Sequence, residues 1–165
     1  MIVKLFRHKV VSSQSHNNMI WNKTTSKGLE RAHYEAEALI VYCVDHRGKE
    51  ALEDFISSMK LRYYDLIMVP GGAKAIAGQN ESERANLLGY VKKLVELHKA
   101  KRIILTTHID CGACGGSAAF NNDVKTEHST HEQWLLSAKS LLTKLFPDVP
   151  VETYFIDFEG WWQLV

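Results

Sequence analysis

The stretch KRIILTTHIDCGACGG, Lys101–Gly116, decides the fold. Its first seven residues, Lys101–Thr107, form a short, nearly continuous apolar run. That composition suits a strand covered on both faces of a parallel sheet. The run stops at His108, and the glycine-rich CGACGGSAAF that follows reads as a turn into a helix. Three similar runs occur elsewhere: EALIVYCV (Glu37–Val44), DLIMVP (Asp65–Pro70) and VETYFIDF (Val151–Phe158). Helical patterns separate them at Thr25–Ala38, Gly48–Lys60 and Ser82–Lys99. In the last of these, Leu87, Leu88, Val91, Leu94, Val95 and His98 recur at i, i+3, i+4 spacing. A further helix is expected in STHEQWLLSAKSLLTKLFPDVP, with Ser129 and Glu132 as a capping box and Pro147 as the stop. Strands alternating with helices predict an α/β fold, with a mainly parallel central sheet of about four strands flanked by helices.

A chain of 165 residues is expected to be a single domain, 1–165, with an N-terminal arm over 1–24 that includes the polar stretch SSQSHNN (Ser12–Asn18). The formal net charge of +1 favours neither nucleic acid nor an anionic membrane surface as partner. The opening MIVKLFRHKVV is too short and too charged for a signal peptide, and a cytoplasmic protein is expected. Three cysteines are too few for a secreted disulfide framework. Cys and His clustered in a reducing compartment point to metal ligands or catalytic thiols instead.

Ligands of open parallel sheets sit beyond the carboxyl ends of the strands. Cys43 ends the first run, His108 ends the third, and Cys111 follows three residues later. Two thiolates and an imidazole suit Zn²⁺, and three protein ligands leave the fourth tetrahedral position open, as in catalytic sites. An open zinc site lowers the pKa of its water to about 7 and makes a hydroxide nucleophile. In CVDHR, strand alternation puts Cys43, Asp45 and Arg47 on one side if the extended backbone continues. Asp45 would then accept a hydrogen bond from the hydroxide, and Arg47 would hold that carboxylate in a bidentate pair.

The two motifs together, Cys43-Val44-Asp45-His46-Arg47 and His108-Ile109-Asp110-Cys111-Gly112, resemble those of the β-class carbonic anhydrases. HIDCG is especially similar to the short prokaryotic and archaeal members, and the likeness runs loosely from Glu37 to the C-terminus, VETYFIDFEG included. The resemblance implies zinc on Cys43, His108 and Cys111, one ion per chain, an Asp45–Arg47 dyad beside it, hydration of CO2 to bicarbonate, and a homodimer or larger homo-oligomer. In some members the Asp leaves the Arg and takes the fourth zinc position. This chain departs from the family at His46, where a small residue is usual, and at VPGGAKAIAG (Val69–Gly78), which replaces an Arg-Asn-Ala-Gly-like run. Relatives with the same triad hydrolyse carbonyl sulfide or carbon disulfide, so a CO2-like substrate is the alternative.

Other readings stay open at this level. Cys111 and Cys114 form a CxxC, which also occurs in redox pairs and closed structural zinc sites, so a non-catalytic zinc or redox module is a rival. Cys114 otherwise packs as a small residue at a helix start. Asp110 reads as a helix cap or a dimer contact. His46 could shuttle protons, with a plain polar strand end as the alternative. His128 and His131 have metal-ligand spacing on a helix, but the capping box explains their segment. PGGAKAIAG lacks the Gly-Lys-Ser/Thr of a phosphate loop, and its glycines are expected to permit tight turns. Trp134, Trp161 and Trp162 are expected in the core or at a subunit interface, the exposed tail GWWQLV favouring the interface.

Overall fold

Five strands form one sheet in the order β2-β1-β3-β4-β5 in this computed structural model, which describes residues 28–29 and 32–165. The strands are β1 (Ala38–Cys43), β2 (Tyr64–Val69), β3 (Ile103–His108), β4 (Val151–Ile156) and β5 (Trp161–Leu164). The first four are parallel, and β5 runs antiparallel to β4. The helices are α1 (Lys49–Ser58), α2 (Lys74–Ala77), α3 (Glu81–His98) and α4 (Val124–Leu145). The expected α/β class therefore holds, with one strand more than expected. The arm expected over 1–24 lies outside the described residues.

Alternation along β1 builds two cores. Leu39 and Val41 pack with Leu87 and Val91 of α3 and Leu135, Ala138 and Leu142 of α4. Ala38, Ile40 and Tyr42 pack on the other face with Leu52 and Phe55 of α1. Both faces of β1 and β3 are thus covered, which explains their unbroken apolar runs. From β1 the chain goes outward to β2, then crosses back to place β3 on the other side of β1. The gap between the carboxyl ends of β1 and β3 is therefore a topological switch point, where open α/β sheets form their crevices. The pairing of Val41 with Leu105 sets the register, which brings Cys43 and His108 to one sheet end.

Three local expectations are corrected. The helix expected at Thr25–Ala38 is not continued where its residues are described: Ala38 opens β1, and the preceding backbone is tied elsewhere. Ala36 N–H donates to the His98 carbonyl at 2.8 Å, and Glu37 N–H to that of Tyr63 at 2.8 Å. Tertiary hydrogen bonds override the local preference of an alanine-rich segment. The capping box at Ser129 and Glu132 is also overturned. Helix α4 starts earlier, where the Asp123 carboxylate accepts from Lys125 N–H at 3.1 Å and from the Thr126 hydroxyl at 2.6 Å. Ser129 lies inside the helix and its hydroxyl bonds back to the Thr126 carbonyl at 3.0 Å.

The third correction is the tail. Asp157 ends β4 by accepting Glu159 N–H at 2.8 Å and Gly160 N–H at 3.0 Å, which turns the chain back as β5. Trp161 then stacks on Phe55 with ring centroids 3.9 Å apart, while Trp162 remains 52% exposed. Trp134 is half-buried under the Lys74 ammonium. Among the described residues no helix is long and apolar enough to cross a membrane.

Phe55 is 7% exposed and bridges α1 to β4 and β5 through Tyr154 and Trp161. Phe55→Ala should cost about 3–5 kcal/mol. The measurement is the urea unfolding midpoint, with the fluorescence of the freed Trp161 shifting red. An unchanged midpoint would contradict this packing.

Candidate metal centre

Cys43, His108 and Cys111 converge as the sheet requires, their ligand atoms all within 4.8 Å of one another. Both cysteines are buried and neither is in a disulfide. Their sulfurs lie 3.8 Å apart. Two sulfurs bound tetrahedrally to one zinc at about 2.3 Å are separated by about 3.8 Å, so the spacing suits that ion. Without a cation, the Cys111 thiol and burial push the Cys43 thiol up to about 11. A dication between them reverses that preference, because it stabilises both thiolates.

The orientation of the imidazole is compatible with the same ion. His108 Nδ1 lies 2.8 Å from the Ile109 carbonyl, which accepts a hydrogen bond from Nδ1–H. The lone pair then sits on Nε2, which is buried and without a hydrogen-bond partner. A neutral ring with one nitrogen anchored and the other free is the state that binds a metal. Burial works against the imidazolium, yet the neighbouring Cys43 sulfur and the Ile109 carbonyl carry the His108 pKa upward.

Gly71 in VPGGAKAIAG contributes in a way the sequence did not disclose. Its N–H donates to Cys43 Sγ at 3.3 Å, which favours the thiolate. Gly71 and Gly72 have φ of +79° and +56°, and a Cβ on Gly72 would collide with the Thr106 carbonyl. The glycines thus permit the loop to pass tightly behind Cys43, as expected of them. The helix expected to start after Cys111 is a 3-10 turn, Gly112–Cys114.

Asp45 and Arg47 adjoin the triad, by a route other than strand alternation. Strand β1 ends at Cys43, and Asp45 caps a 3-10 turn at His46–Gly48 by accepting Arg47 N–H at 3.0 Å. The turn folds the guanidinium back onto the carboxylate: Arg47 Nε lies 3.1 Å from each Asp45 oxygen, and a terminal nitrogen 2.7 Å from Oδ2. Arg47 hydrogen bonds hold the Asp45 carboxyl down at about 2. Asp45 Oδ2 stands 4.0 Å from His108 Nε2. His46 is exposed on the same turn.

Asp110, expected as a cap or dimer contact, is an anchor for Arg47. Its carboxylate accepts from Arg47 at 2.9 Å and its carbonyl at 2.8 Å. Its other carboxylate oxygen accepts Ser117 N–H at 3.1 Å, at the start of the short Ser117–Phe120 turn. Asp45, Arg47 and His108 line a cavity of about 110 Å³ whose other walls include Tyr42, Ile109, Ile156 and Phe158. Among the described residues Cys114, His128 and His131 are not part of the metal-ligating group.

Purified protein should carry one zinc per chain, with two sulfur and one nitrogen ligands by metal-edge absorption. Cys43→Ser and His108→Ala should each remove it, whereas Cys114→Ser should leave the stoichiometry unchanged by elemental analysis. A third sulfur on the metal would overturn this assignment.

A family profile described as "Putative carbonic anhydrase" matches residues 34–165. The chain is 26% identical over 131 residues to an uncharacterized protein of Rickettsia conorii, covering 76% of this chain and 70% of that one. Its fold is similar to a carbonic anhydrase from Glaciozyma antarctica, with TM-score 0.55 and 18% identity over 81% of this chain and 84% of the other. It is also similar to a β-carbonic anhydrase of Trichomonas vaginalis, with TM-score 0.52 and 14% identity over 84% and 87%. With the profile spanning the sheet, both motifs and the Cys43–His108–Cys111 group, the chain belongs to the carbonic anhydrase family.

Proposed function

We propose that this protein hydrates CO2 to bicarbonate, using one zinc ion held by Cys43, His108 and Cys111. The observation that carries this reading is a buried two-sulfur, one-nitrogen donor set beside a small cavity bearing an Asp–Arg pair. Zinc in such a set supplies a nucleophilic water with a pKa near 7, raised somewhat by the electron density of two thiolates. The reaction forms one C–O bond, converts CO2 and water to bicarbonate, and releases one proton.

The chain's own residues do the rest. The ionised Asp45 accepts a hydrogen bond from the attacking water and turns its oxygen toward the carbon. Arg47 fixes the direction of that carboxylate and keeps it paired. The apolar walls from Ile109, Ile156 and Phe158 suit a small neutral molecule and exclude competing water. The proton leaves to solvent buffer, with the exposed His46 an accessory acceptor. The protein would be a cytoplasmic lyase working as a homodimer or larger homo-oligomer. Exposed Val44, Leu66 and Met68, at and beside the β2 edge, suit such an assembly. The VPGGA loop lies behind Cys43 and contributes no lining to the cavity, so it lends a sulfur substrate no particular support.

Stopped-flow CO2 hydration near pH 8 should show a rate far above buffer in zinc-loaded protein. Arg47→Ala should lower kcat/KM by about 10- to 100-fold while zinc stays bound. Sulfide release from carbonyl sulfide with no CO2 hydration would reject the assignment.

The pH profile follows from Asp45. A depressed carboxylate is ionised above its folded pKa and is lost only as pH falls through about 2. Activity should therefore rise with pH through a single inflection near or above 7. A second inflection between pH 4 and 6 in the acid limb would contradict a permanently ionised Asp45.

A further inference from the structure

Glu127 is the one fully buried carboxylate among the described residues, 0% exposed in the first turn of α4. Its Oε1 accepts Asp110 N–H at 2.7 Å, and its Oε2 has no partner. The neighbouring His131 is equally buried, its Nε2 3.9 Å from Oε1 and both ring nitrogens unpartnered. Burial presses the His131 pKa down to about 4, so it is a neutral neighbour and not a counter-ion. The Asp110 amide is therefore the only hydrogen-bond partner of the Glu127 carboxyl group among the described residues.

A buried carboxylate with half its acceptor capacity unused is a poor device for stability. Its single hydrogen bond falls on a decisive atom. Asp110 holds the left-handed conformation, φ +50°, uncommon for a non-glycine residue. That conformation aims its carboxylate and its carbonyl together at Arg47 and leads directly into Cys111. Gly116 packs so close that a Cβ there would lie 3.0 Å from Asp110 Oδ1, so the loop has little room to re-form otherwise.

We propose that Glu127 is a positioning residue for the dyad: through the Asp110 amide it locks the loop that holds Arg47, and thereby Asp45, beside the metal-binding residues. The chain of contacts runs from Glu127 Oε1 to Asp110 N–H, from the Asp110 oxygens to the Arg47 guanidinium, and from that to the Asp45 carboxylate. Glu127 belongs neither to the cavity lining nor to the Cys43–His108–Cys111 group. Its effect on rate rests on the function proposed above; its effect on Arg47 does not.

The test uses zinc-loaded full-length protein and ¹⁵N NMR of the Asp110 amide and the Arg47 Nε–H. Both should be resolved and slow to exchange in wild type. Glu127→Met keeps the length of the side chain and removes the carboxyl acceptor. It should lose both signals and lower kcat by about 10-fold or more, with the thermal midpoint equal or raised. Glu127→Gln keeps an acceptor and should restore both signals and most of the rate. A Glu127→Met protein that retains the Arg47 signal overturns the proposal, as does Glu127→Gln behaving no better than Glu127→Met. If Glu127→Met does not fold, rapid exchange of the Asp110 amide in wild type overturns it alone. A wild type that hydrates no CO2 would refute the function, and the NMR comparison would still decide the role of Glu127.

Discussion

The parallel pairing of β1 with β3 is the constraint on which the site rests. Cys43 and His108 are far apart in the chain, and nothing local brings them together. Two neighbouring parallel strands end on the same side of a sheet, and the Val41–Leu105 register sets how far each projects. Covering both faces with α1 on one side and α2, α3 and α4 on the other makes that register costly to change, since a one-residue slip would exchange the two cores. The Cys43–His108–Cys111 group is thus held by the burial of Leu39, Ile40, Val41, Ile103, Ile104 and Leu105, all fully buried.

Around that frame the site is organised by directed hydrogen bonds more than by net charge. The Ile109 carbonyl selects the His108 tautomer, and the Gly71 amide faces Cys43. Arg47 satisfies Asp45 and Asp110 together and so ties the end of β1 to the loop after β3. Arg47 is substantially exposed, and an isolated surface ion pair would contribute little. What makes this one consequential is geometry: several hydrogen bonds converge on one planar group from two separate segments.

The parts that sequence reading placed wrongly share a cause. A capping box at Ser129 and Glu132 matches a local pattern, but Asp123 offers a competing cap six residues earlier and the helix takes it. Thr25–Ala38 reads as helix, but the Ala36 and Glu37 amides find partners on α3 and beside β2. The fifth strand was hidden because its signal is a turn, with Asp157 accepting two amides and Gly160 accommodating the reversal. In each case a hydrogen bond to a particular neighbour outweighed a preference of a few tenths of a kcal/mol to about 1 kcal/mol per residue.

The sequence by itself determined the α/β class, because unbroken apolar runs between amphipathic segments leave few alternatives to a covered parallel sheet. It also singled out Cys43, Asp45, Arg47, His108 and Cys111, because ligand-forming side chains concentrated at strand ends are informative without coordinates. Only the tertiary structure decided how those residues meet. The 3-10 turn that folds Arg47 onto Asp45, the left-handed Asp110 that receives Arg47, and the buried Glu127 behind it are products of three-dimensional neighbours. Sequence patterns record which chemistry is available at a strand end. The direction of a hydrogen bond depends on the backbone that arrives from elsewhere in the fold.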